Sequence, residues 1–155
     1  MANTQAMCTS FKGELLTATH NFGTAPIRAA STADTFKAAL YLASATINAT
    51  TAVYTTTGEV SGTNYTAGGV TVTNSTAPTT SGTTGYWTPS ASITYGSSGS
   101  PVTLSTAFDC VLIYNSSQSN KAVSVHTFGS QTITAGTFAL TMPTNDATNA
   151  LIRLA

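Results

Sequence analysis

From Asp34 onward, apolar and polar positions alternate in short runs, and the elements this predicts are β-strands. Thr35 to Leu42 (TFKAALYL) sets Phe36, Ala38, Leu40 and Leu42 against Thr35, Lys37, Ala39 and Tyr41, the period of a half-buried strand. Val70 and Val72 alternate with Thr71 and Thr73 behind the turn signal Gly68-Gly69. Tyr86-Trp87, then Ile93 and Tyr95, mark an aromatic strand region interrupted by Pro89. Phe108 to Tyr114 (FDCVLIY) is the densest apolar run, and NSSQSN joins it to Lys121–Phe128 as a hairpin. On that second strand Ala122, Ser124, His126 and Phe128 face one way and Val123, Val125 and Thr127 the other, which makes one side aliphatic. Gln131 to Thr134, Thr137 to Met142 and Ala150 to Leu154 complete about eight strands spaced as in an antiparallel sandwich. The nearly all Ser, Thr, Gly, Ala and Pro stretch from Asn74 to Thr84 reads as an exposed connection or edge.

Upstream the pattern differs. In Ser10 to His20, Phe11, Leu15, Leu16 and Ala18 recur at helical spacing, Ser10 is placed to cap and Gly13 keeps the helix short. His20 falls at its C-terminal end, where a cation suits the helix dipole. The small and polar residues that follow read as a loop, and the first ten residues carry no charge and suit an arm. The expectation is an all-β protein: an N-terminal arm and short helix over 1–33, then a β-sandwich domain over 34–155.

Composition sharpens this picture. Ten Asp, Glu, Lys and Arg stand against fifty Thr and Ser in 155 residues, where an ordinary domain is about 25% charged. The surface is therefore built of hydroxyls, amides and backbone, with little repulsion to keep copies apart. The five basic residues are scattered and the net charge is zero, which argues against a nucleic-acid partner. No apolar run approaches the roughly 20 residues that span a bilayer, and MANTQAMCTS does not resemble a signal peptide, so the expectation is a soluble chain made in the cytoplasm. Cys8 and Cys110 are too few for a disulfide framework and read as buried thiols.

Candidate chemistry is sparse. Asp34, Asp109, Asp146, Glu14 and Glu59 are far apart in the chain, with no paired-carboxylate or metal-ligand spacing. Cys8, Cys110, His20 and His126 lack the close pairs of a zinc knuckle. YGSSGS is not a nucleophile elbow, and no phosphate-cradling glycine loop is present. Neither an enzyme nor a cofactor or metal is expected. Asp109 reads as the exposed start of its strand, and Asp146 as a turn or cap residue. Tyr65, Tyr86 and Trp87 remain as candidate protein-contact residues, each with a second reading as a side chain packed on its own sheet.

The succession SFKGELL, HNF, DTFKAALYLASATINATTAVYTTTGEVSGTNYTAGG, VLIYNSSQSNKAV and FALTMPTNDATNALIRLA resembles a family of small virion proteins of tailed bacteriophages. Its most specific parts are FK-ALY, TxEVxGxxYxAGG and PxxDAxxAxIR. The resemblance implies a non-enzymatic head decoration or cement protein on the outer surface of the capsid, synthesised in the host cytoplasm. Its implied partners are the major capsid protein and itself, as a homotrimer. A neck or tail component is the alternative within that class, and a glycan- or receptor-binding module is the alternative outside it.

Overall fold

The computed structural model describes residues 3–16, 19, 20, 22 and 33–155. Ten strands and one helix follow the order β1 (Ala6–Met7), α1 (Thr9–Leu16), β2 (Phe36–Leu42), β3 (Val70–Thr71), β4 (Thr79–Ser81), β5 (Thr84–Trp87), β6 (Ile93–Tyr95), β7 (Val102–Asn115), β8 (Lys121–Gly136), β9 (Phe138–Leu140) and β10 (Ile152–Leu154). All named pairings are antiparallel. The expected all-β, sandwich-like architecture is present, with one short helix.

Its layers are unequal. A five-stranded sheet in the order β1-β8-β7-β2-β3 forms the centre, with a three-stranded sheet β10-β5-β4 and the pair β6-β9 around it. Alternation predicts that β2 buries one face, yet Ala38, Ala39, Leu40 and Tyr41 are all fully buried. Segment 43–60 contributes to this cover: the Tyr41 hydroxyl donates to Thr55 O at 2.6 Å, and Tyr54 stacks on Tyr114 with ring centroids 4.7 Å apart. The same holds for β8, where Ala122, Val123, Ser124 and Val125 are buried in succession instead of one aliphatic side facing in. A sheet wrapped by loops on both faces reads as a continuous apolar run, as FDCVLIY does.

An aromatic cluster fills one part of the core. Phe22 stacks on Phe36 at 4.6 Å between centroids and lies 4.6 Å from Trp87, and Phe11 meets His20 edge-on at 4.8 Å. Elsewhere Phe108 contacts Phe138 and Phe128 edge-to-face, at 5.1 and 6.0 Å. Each such pair adds about 0.5–1.5 kcal/mol to the burial of its rings.

The N-terminal segment is not an arm over residues 3–16. β1 pairs with β8, Thr4 N donates to Ile47 O, and Cys8 and Phe11 have no exposed surface. Helix α1 begins at Thr9, so Ser10 lies inside the first turn, and its buried hydroxyl has no hydrogen-bond partner and caps nothing. Thr17 and Ala18 of the expected helix, and the expected loop apart from Phe22, Ala33 and Asp34, lie outside the described residues. Strands expected over 108–114 and over 121–128 and 131–134 are longer in fact: β7 runs fourteen residues and β8 sixteen. Val53 forms an isolated bridge with Lys121.

Candidate functional site

The loop carrying TxEVxGxxYxAGG is a clamp on the edge of β2. Residues 58–60 run beside β2, with Leu42 N donating to Gly58 O and Val60 N to Leu40 O, and β3 takes up the pairing again at Lys37 and Ala38. Between them the chain bows away, and Tyr65 reaches back so that its hydroxyl accepts from Leu40 N at 3.0 Å. That hydroxyl donates in turn to Glu59 Oε1 at 2.8 Å. Gly68 N donates to the same oxygen at 2.7 Å, and the Tyr54 hydroxyl donates to Oε2 at 2.5 Å. The Tyr114 hydroxyl donates to Gly68 O at 2.8 Å. Glu59 therefore gathers three donors, each stronger for meeting a charged acceptor. Burial, followed by the nearby Glu59 charge, holds the Tyr114 phenol up at about 12, so it stays protonated and can donate. Desolvation, opposed by the bond from Leu40 N and reinforced by Glu59, pushes Tyr65 up too.

Gly62 completes the clamp from the other side. Thr63 and Thr103 exchange backbone bonds of 3.1 Å in both directions, and a Cβ at Gly62 would stand 2.0 Å from Thr103 O. The loop that could have been a free binding loop is tied to both β2 and β7, and Tyr65 is one of its ties.

Trp87 is 2% exposed, its indole N–H donating to Thr76 O at 2.8 Å. It belongs to the core and offers no ring to a partner, which corrects its place among the contact candidates. Tyr86 is half-buried on β5, opposite Thr79 of β4 and Arg153 of β10 in the register, so these three side chains share one face of the small sheet. Of the three candidates, Trp87 is buried, while Tyr65 and Tyr86 are both half-buried.

The remaining chemistry-bearing groups are turned to structural use. Asp34 and Asn115 are buried, with Asn115 Nδ2 donating to Asp34 Oδ2 at 2.8 Å and lying 3.1 Å from His20 Nδ1. Gln118 Nε2 donates to Asp34 Oδ1 at 3.1 Å. His20 is buried, with its Nδ1 against the Asn115 amide and its ring edge-on to Phe11. Its expected place at the end of a helix falls outside the described residues, since the helix is described only as far as Leu16. Asp109 is half-buried along β7 rather than exposed at a strand start, and accepts from Asn3 Nδ2 at 2.6 Å. Cys8 and Cys110 are buried; burial, with Asp109 beside it, pushes Cys110 up to about 12 and keeps it unreactive. His126 lies 2.9 Å from Ser124 Oγ through Nε2, and desolvation lowers it to about 4. Asp146 closes its own turn by accepting from Thr148 N at 2.8 Å and Asn149 N at 2.7 Å. The Asn149 side chain first, then these amides, hold its carboxyl low. Among the described residues no three His, Cys, Asp or Glu side chains form a group that would hold a metal, and no helix is long and apolar enough to cross a membrane.

These placements change the surface more than the composition alone suggests. Of the seven charged side chains whose burial is described, Asp34 is buried, Lys37, Glu59, Asp109, Lys121 and Asp146 are half-buried, and Arg153 alone is exposed. No charged residue occurs from Val60 to Phe108 or from Ala122 to Asn145. Those two stretches supply β4, with all three residues exposed, and the outer part of the β7–β8 hairpin, exposed at 105–107 and 129–132. Comparison with protein-family models, with curated proteins and with solved structures finds no match to this chain.

Proposed function

We propose that this protein is a non-enzymatic structural protein of a tailed-phage virion, a decoration or cement protein on the outer surface of the head. It binds across the joints between copies of the major capsid protein and associates with itself as a homotrimer. The observation that carries this reading is the near absence of exposed charge around strand surfaces made of Thr, Ser and Gly. Such a surface loses water against a neighbour without stranding an ion, whereas each unpaired charge taken out of water costs several kcal/mol. Among the described residues, the carboxylates and imidazoles that an enzyme would aim at a substrate are spent on internal hydrogen bonds. The mechanism is adhesion multiplied by copy number: many weak, dry contacts, each adding to shell stability by mass action.

Particles stripped of this protein are expected to lose heat and osmotic resistance and to regain it on add-back. Unchanged resistance sinks the cement role. A count of hundreds of copies per particle agrees with the head, and six or twelve with the neck. Thr80→Lys on β4 and Ser105→Glu on β7, both at exposed positions, are expected to lower occupancy on the particle while leaving the melting temperature within a few degrees.

A further inference from the structure

We propose that the groove between the small sheet and the central sheet is a binding site for a neutral saccharide. The site stands apart from the decoration reading and does not depend on it.

Two sheet faces make its walls. Thr84 stands two residues before Tyr86, the register partner of Arg153, and Leu151 stands two before Arg153, so Thr84, Leu151 and Arg153 share one face of the small sheet. Across from them, Met7 on β1 opposes Ser124, which shares its face of β8 with His126. Gln5 precedes β1 on that side, and Asn149 comes from the turn that Asp146 closes. The groove encloses about 580 Å³, within the ~300–1,000 Å³ of small-molecule sites. Gln5, Asn149 and Arg153 are exposed, so it reaches solvent.

The bonds these side chains make inside the fold leave both donors and acceptors unspent. Gln5 Oε1 accepts from Thr127 Oγ1 at 3.4 Å, which leaves its amide N–H groups. Asn149 is the converse, since its Nδ2 donates to both oxygens of Asp146 and its Oδ1 is left. His126 meets Ser124 Oγ through Nε2, leaving Nδ1. Arg153 donates through Nη1 to Thr148 O and keeps the rest of its five N–H groups. Thr84 adds a hydroxyl that both donates and accepts.

Charge balance and wall chemistry then specify the occupant. The Arg153 charge helps hold the Asp146 carboxyl low, so the one guanidinium in the groove is already answered by a carboxylate. Burial keeps His126 neutral above about pH 4. An anion offers acceptors alone and would leave Asn149 Oδ1 facing a like partner, whereas each hydroxyl of a sugar both donates and accepts. A peptide strand needs free backbone to pair with, but sheet faces present side chains. Met7 and Leu151 supply apolar surface for the C–H side of a pyranose ring, and the half-buried Tyr86 flanks the Arg153 wall.

The test titrates the full chain, labelled with ¹⁵N, with maltotriose and with triacetylchitotriose. At least one is expected to give saturable shifts of the Gln5 and Asn149 side-chain amides and of the Leu151 and Arg153 backbone amides, with a dissociation constant of about 1 mM. Gln5→Met and Thr84→Val should each weaken binding about fivefold, and an unchanged melting temperature checks that each variant folds. No saturable shift with either sugar overturns the proposal. Equal affinity in both variants overturns the groove as the site. Tighter binding of sialyllactose, or of the peptide Thr-Val-Thr-Val-Thr, at these same amides overturns the neutral saccharide as the class of ligand.

Discussion

Gly69 lies so close to β2 that a Cβ placed on it would stand 1.8 Å from the carbonyl oxygen of Ala38. The backbone there is also left-handed, with φ at +70°, a region that L side chains enter at a cost. Both facts follow from the loop's need to return to the sheet edge immediately before β3.

Gly69→Ala is therefore expected to lower the unfolding free energy by at least about 2 kcal/mol. Gly129→Ala, where a Cβ meets nothing within 4 Å, is the matched control and should change stability by less than about 0.5 kcal/mol. Urea titration of the two variants checks the difference.

The Tyr65 hydroxyl links Leu40 N to Glu59, so removing it strands a donor as well as an acceptor. Tyr65→Phe is expected to cost about 1–3 kcal/mol. In a double-mutant cycle with Glu59→Gln the two changes should be coupled by more than about 0.5 kcal/mol. Strict additivity would show that the bond contributes nothing to holding the loop.

The imidazole of His126 titrates at 6.5 in its ordinary state and at about 4 in the fold, because burial disfavours the cation. Between those values the unfolded chain binds the extra proton, so stability falls as pH drops from about 6.5 to about 4 and this contribution levels off below. Its full size is up to roughly 3 kcal/mol. The stability difference between pH 7.5 and pH 4.5 should be smaller in His126→Gln than in the parent chain, and an equal difference would assign the acid sensitivity elsewhere.

Most of the strands were legible because their signals are local. TFKAALYL, the FDCVLIY hairpin and the aromatic pair at 86–87 carry β patterning within a few residues. β1 was not, because two residues, Ala and Met, have no period, and they become a strand only by meeting Ser124 and Val125. The double-sided burial of β2 was hidden for a related reason: its second cover comes from residues 43–60, where only Val53 and Tyr54 suggest a short strand or a turn of helix. At the candidate site, Tyr65 carried two readings, a contact residue or a side chain packed on its own sheet, and its partners Leu40 N and Glu59 were not legible in either. Arg153 carried no motif of its own. Among the seven charged side chains whose burial is described it is the one left exposed, which composition cannot reveal.

The pairing of Ala6 with Val125 has a consequence for synthesis. The first strand must wait for its neighbour until about 120 further residues have been made, roughly ten seconds at ribosomal rates of ~5–20 residues per second. Throughout that interval a nascent segment with no charge in its first eleven residues has no like-charge repulsion to separate it from others on the same messenger. Soluble yield should therefore depend on the density of ribosomes and on growth temperature more steeply than the stability of the finished fold would require.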